Sequence, residues 1–190
     1  SDPGPNQIKD VLDWVEQDED FDLDPTRIAM TGHSAGAGTT ATVGQTEDFD
    51  LLLPMASAVA VDSDIPTLLV SGDCDAYAPE AALLATGEDL LMVHGAGHLA
   101  FADFCDLELG AFADELALRD DINSTFLQLL RDLATDGCPG YEPQSPDCEV
   151  YFDLPASKEI IRYATTAALD HHLLDEGPGV EDLWDETTLY

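Results

Sequence analysis

Basic residues are scarce in this chain: 6 Lys and Arg stand against 40 Asp and Glu in 190 residues, a formal charge of −34. A surface this uniformly anionic repels phosphate backbones and anionic lipid, so nucleic acid is excluded as an expected partner. No apolar run reaches the ~20 residues of a membrane span, and the opening Ser-Asp-Pro-Gly-Pro-Asn is unlike a signal peptide, although a cleaved leader would be compatible with it. No His-rich spacing supports a zinc site, although Asp73, Cys74 and Asp75 adjoin one another. The acidic run at 18–24 lacks the central glycine and terminal Glu of a calcium loop and reads as a solvated linker. No metal and no cofactor is implied. Internal repeats and low-complexity linkers are absent as well.

What is present suits one domain spanning 1–190. With 45% hydrophobic residues, the chain can bury a single sizeable core. Carboxylates scattered through every segment suit a solvated surface in salty surroundings. Four cysteines are compatible with two disulfides. Cys138 and Cys148 flank a Pro/Gly-rich loop, and Cys74 and Cys105 lie near two candidate catalytic loops, so the expected pairs are 138–148 and 74–105. Disulfides place the protein outside the cytoplasm, extracellular or periplasmic.

Asn6 is a candidate N-cap for an amphipathic helix running to about Gln17, with Ile8, Val11, Leu12 and Val15 on its apolar face. Four short apolar segments follow. The first, around Ile28, Ala29 and Met30, suits a strand buried on both faces. The second, 49–53, should stop at Pro54, which has no N–H for a central ladder. The third is 67–71 and the fourth 89–93, with a short helix expected at 80–85. Separated by helical crossovers, these strands predict a parallel α/β sheet flanked by helices. Helical spacing recurs at Phe126, Leu129, Leu130 and Leu133, and again over 158–174, where Ile160, Ile161, Tyr163, Ala164, Ala167, Ala168 and Leu169 are available for burial. Asn123-Ser124-Thr125 is formally a glycosylation sequon and reads more naturally as an N-cap. The segment 103–157 leaves the sheet's carboxyl edge and is expected either to cap the pocket or to pack on the flank. The acidic tail from 175 is expected on the surface.

The stretch 27–37, Arg-Ile-Ala-Met-Thr-Gly-His-Ser-Ala-Gly-Ala, organises the chemistry. In Gly32-His33-Ser34-Ala35-Gly36 a strand turns at once into a helix, and both glycines are expected to relieve backbone crowding. The turn leaves Ser34 at its tip and sets the Ala35 N–H at a helix N-terminus, where it can meet an oxyanion. The pattern alone also fits a plain glycine-rich turn. Asp75, in the loop after the third strand, and His98, after the fourth, fall at the same sheet edge as Ser34, where ligands of parallel sheets bind. Asp73 is a rival acid. His94 is a rival base, but it closes a strand whereas His98 sits on the Gly95-Ala96-Gly97 loop. His33 reads as structural, and His171 and His172 lie on a late helix outside this set.

The order Ser, Asp, His, each after a strand, resembles the α/β-hydrolase fold. Asp24-Pro25-x-Arg27-Ile28-Ala29 before the elbow, then Pro66-Thr67-Leu68-Leu69-Val70 and Asp75-x-x-Ala78-Pro79, are similar to the dienelactone-hydrolase-like branch, which holds cutinase-like polyester hydrolases and platelet-activating-factor acetylhydrolase-like esterases. The likeness covers about 8–101 and the last helix. It implies Ser34 as nucleophile, His98 as base and Asp75, which matches the branch's acid pattern, as the group orienting the imidazole.

In that fold further strands precede the first helix seen here, and a loop among them supplies a second oxyanion N–H. The chain therefore reads as the C-terminal part of such a hydrolase, with an N-terminal segment or a separate chain expected to complete the sheet. The expected activity is hydrolysis of short acyl esters through an acyl-enzyme. Polyesters come second, because the branch's polyester hydrolases commonly carry a residue larger than Ala35 after the nucleophile. The alternative is a non-catalytic fragment or binding module that retains the triad.

Overall fold

A computed structural model describes residues 5–17, 24–107, 111, 115–116, 123–146 and 148–174. The expected linker at 18–24, apart from Asp24, and the acidic tail fall outside them. Helix α1, Pro5–Gln17, starts before Asn6, so that residue lies in the first turn rather than at the N-cap position. Ile8 and Leu12 pack inward. Val11, expected beside them, is 55% exposed, because the narrow contact with the next helix covers only one side of the apolar stripe.

Strands β1 (Ala29–His33), β2 (Leu51–Met55), β3 (Leu68–Gly72) and β4 (Asp89–Val93) form one four-stranded parallel sheet in the order β1-β2-β3-β4. Helix α2 (Ala35–Val43) joins β1 to β2, and α3 (Glu80–Leu84) joins β3 to β4. Between β2 and β3 the expected helical crossover is replaced by irregular chain at 56–67, where Asp62, Ser63, Asp64 and Pro66 oppose a helix. Side chains alternate between two apolar layers. Leu51, Leu53, Leu68 and Val70 meet Ile161, Ala164 and Ala168 of the last helix, while Leu52 meets Val43 and Phe49, and Leu69 meets Ala78 and Leu83. Burying each such leucine contributes about 1.5–3 kcal/mol.

Two strand expectations are corrected. Strand β1 is half-buried, with Thr31 exposed, because it pairs only with β2 among the described residues. Pro54 lies inside β2, opposite Gly32. On the β3 side, Leu52 N donates to Pro66 O and Ala56 N to Val70 O, each at 2.9 Å. Pro54 falls midway between these donors, so the ladder loses one rung and resumes.

Helix α4, Ser124–Thr135, is capped by Asn123, whose Oδ1 accepts the Thr125 N–H at 2.8 Å. Leu127 and Ala134 are buried, while Leu129 is 54% exposed. The final helix α5, Leu154–Leu174, starts one turn earlier than expected and tolerates Pro155 in its first turn. Ile160 and Tyr163 are exposed, contrary to expectation, because the sheet covers only the stripe of Ser157, Ile161, Ala164, Ala167 and Ala168.

All four cysteines are in disulfides, but the pairs differ from those expected. Cys74 joins Cys148 and Cys105 joins Cys138, with Cα separations of 5.2 and 5.3 Å. The Leu99 N–H bonds Asp136 O at 2.7 Å and sets the end of α4 against the turn 98–101, so Cys138 meets Cys105 on the next turn. The chain then doubles back, Phe152 N donating to Gly95 O at 2.8 Å, and carries Cys148 to the loop after β3.

Candidate active site

Ser34 stands between β1 and α2 with φ 57° and ψ −118°, a conformation that costs a non-glycine residue about 1–3 kcal/mol. Its own N–H is anchored to Met55 O at 2.9 Å. The crowding that forces glycine is one-sided. A Cβ on Gly32 would lie 2.2 Å from Gly36 O, whereas one on Gly36 would meet nothing within 4 Å. The expectation that both glycines are sterically required therefore holds for Gly32 alone, since Gly36 presents its carbonyl to the strand and its Cα to open space. Ala35 opens α2, where first-turn amides have no intrahelical acceptor and the helix dipole favours negative charge.

The structure brings Ser34, His98 and Asp75 into one hydrogen-bonded line. His98 Nε2 lies 2.9 Å from Ser34 Oγ, and its Nδ1 lies 3.0 and 3.1 Å from the two Asp75 oxygens. An ionised carboxylate only accepts, so Nδ1 carries the proton and Nε2 is free to accept from the Ser34 hydroxyl. Asp75 and His98 are 1% and 2% exposed. The Asp75 Oδ1 also accepts the Tyr77 and Ala78 amides, at 2.8 and 3.0 Å, which fixes the carboxylate.

The rival residues form a separate outer pair. Asp73 accepts from His94 Nδ1 and from the Gly95 N–H, both at 2.7 Å. The His94 side chain is 90% exposed. His33 donates Nε2–H to His98 O at 2.8 Å, and its ring lies 4.9 Å from that of His98. Burial pushes the His33 imidazole below its ordinary 6.5, against the raising effect of that hydrogen bond, so the ring is a neutral donor. His171 and His172 stack edge to face near the end of α5, apart from these groups.

An apolar cavity of about 440 Å³ opens over Ser34, walled by His98, Leu99, Phe104, Leu130 and Leu133. Helix α4 thus supplies one side of the cavity from within the segment expected to cap it or to pack on the flank. Tyr77 packs against the His98 ring, 5.0 Å between centroids, and its hydroxyl is pushed above its ordinary value, chiefly by burial. Among the described residues, no cluster of three or more His, Cys, Asp or Glu could hold a metal ion.

Sequence reasoning missed Asp136 and Tyr151. Asp136 is fully buried, and its carboxylate accepts from the Ala76 and His98 amides, each at 3.2 Å, and from the Tyr151 hydroxyl at 2.5 Å. One signal stood in the chain: an Asp directly after the last turn of α4 faces the negative end of the helix dipole, an unfavourable place without other partners. For Tyr151 there was no local signal. No protein-family model matches the chain, and no curated protein matches it.

Proposed function

We propose that this chain is a serine carboxylic-ester hydrolase of the α/β-hydrolase type, working through an acyl-enzyme and acting on short acyl esters. The observation that carries this reading is the line Ser34–His98–Asp75 behind a nucleophile held at positive φ. As the Ser34 oxygen attacks the ester carbonyl, its proton passes to His98 Nε2. Asp75 keeps Nδ1 protonated and stabilises the imidazolium. The Ala35 N–H receives the developing oxyanion. His98 returns the proton to the departing alkoxide, leaving the acyl group on Ser34, and then activates water to release it.

Leu99, Phe104, Leu130 and Leu133 offer apolar contact to an uncharged acyl or alcohol group. The charge of −34 disfavours anionic substrates. Polyester chains remain the second substrate class. Two disulfides, with no described helix long and apolar enough to cross a membrane, are compatible with an extracellular or periplasmic protein.

The half-burial of β1 favours a second reading. A segment or chain that completes the sheet along β1 would bring a further oxyanion donor. Without it the chain would be slow, since losing one such donor costs about 10²–10³ in turnover, or a non-catalytic module that keeps the triad. Labelling with a fluorophosphonate followed by peptide mapping decides between them. Modification confined to Ser34 and lost in Ser34→Ala supports the esterase. A folded chain that stays unlabelled supports the second reading.

A further inference from the structure

A buried carboxylate needs compensation for its lost hydration, and that of Asp136 finds it at a place that matters. Its Oδ2 accepts two amides at the same 3.2 Å, Ala76 N and His98 N. The first immediately follows Asp75 on the loop after β3; the second is the backbone of His98 itself, after β4. A single oxygen therefore ties the acid loop to the histidine loop beside the contact between Asp75 and His98 Nδ1. The other oxygen, Oδ1, accepts the Tyr151 hydroxyl at 2.5 Å, which fixes the rotation of the carboxylate. The backbone adds a further tie, Leu99 N to Asp136 O at 2.7 Å.

We infer that Asp136 is a positioning residue for the hydrolysis proposed above, setting the register between Asp75 and His98, with Tyr151 holding its carboxylate in place. Asp136 is absent from the residues lining the cavity over Ser34 and acts through the two loops. Misplacement by a fraction of an ångström weakens proton transfer while leaving apolar substrate contacts intact. Asp136→Ala removes the bridge. Asp136→Asn keeps one oxygen for both amides and turns its NH₂ group to the Tyr151 oxygen, so it preserves the bridge.

The test measures the rate of Ser34 modification by a fluorophosphonate and, by proton NMR, the low-field resonance of the His98 Nδ1–H, in the wild type, Asp136→Ala, Asp136→Asn and Asp73→Asn. Asp136→Ala, checked for cooperative unfolding, is expected to slow labelling about tenfold or more and to lose the low-field line. Asp136→Asn is expected to restore both to within about threefold, and Asp73→Asn to change neither. If Asp136→Ala does not fold, Tyr151→Phe takes its place, with a several-fold slowing expected. A folded Asp136→Ala, or in its place a folded Tyr151→Phe, that keeps the wild-type rate and resonance overturns the inference. If the wild type is unlabelled, the esterase reading fails, and the resonance alone decides the role of Asp136.

Discussion

Gly97 and Gly137 meet backbone to backbone: a Cβ on Gly97 would stand 2.6 Å from both the N and the Cα of Gly137. This is a tight seam between the histidine loop and the end of α4. Gly137 also has φ 95°, which disfavours any side chain there. Gly97→Ala is expected to lower stability by about 1–3 kcal/mol through forced separation of the two backbones. The same variant should lose esterase activity beyond what its folded fraction explains. Urea unfolding and ester turnover on one preparation check both.

The two acid–histidine pairs should separate cleanly in kinetics. Ser34→Ala is expected to reduce ester turnover by at least about 10³, and Asp75→Asn by up to about 10⁴, through loss of the imidazole tautomer. His94→Gln should stay within about threefold of wild type, because its partner Asp73 bonds the outer face of the loop. Steady-state kinetics on a short-chain aryl ester would show it. Equal losses at His94 and His98 would reject the assignment.

His33 gives stability a pH dependence whose sign follows from burial. Its folded pKa lies below the ordinary 6.5, so the unfolded chain binds the extra proton first on acidification. The penalty is absent above pH 6.5 and grows as pH falls from there towards the folded value. His33→Gln, which can still donate to His98 O, should flatten this loss of urea midpoint between pH 7 and 5. Asp24 titrates lower, its carboxyl held at about 2 by hydrogen bonds from Thr26 and then Arg27. Its contribution is therefore complete above 3.8 and lost only as pH falls from there through about 2.

Non-reducing peptide mapping should recover Cys74 with Cys148 and Cys105 with Cys138. The closed loops have sequence separations of 74 and 33. Chain entropy then assigns about 4.5 and about 4 kcal/mol to the two bonds. Reduction should lower the thermal midpoint substantially, and a 138–148 peptide would refute the arrangement.

The parallel sheet was legible because each strand announces itself locally, and β4 occupies the expected 89–93. The positions of Ser34, Asp75 and His98 after strand ends were legible for the same reason, since topology carries such loops to one edge. What escaped was set by contacts distant in sequence. Burial of β1 depends on what lies beyond it. The disulfide pairs and the partners of Asp136 depend on how the end of α4 packs against the two loops, which no local pattern in 103–153 reveals. Pro54 misled because a missing donor need not end a strand when the donors two residues away on either side are satisfied.

The elbow conformation has a thermodynamic consequence. At φ 57° and ψ −118°, Ser34 occupies backbone space in which glycine is comfortable and any β-carbon is not. Ser34→Gly should therefore fold at least as stably as the parent, with a gain of up to about 1 kcal/mol, while Ser34→Ala should show no such gain. A side chain kept where its absence would relax the chain is held against the gradient of stability. Its retention is then to be explained by what the oxygen does, because the fold has no need of it.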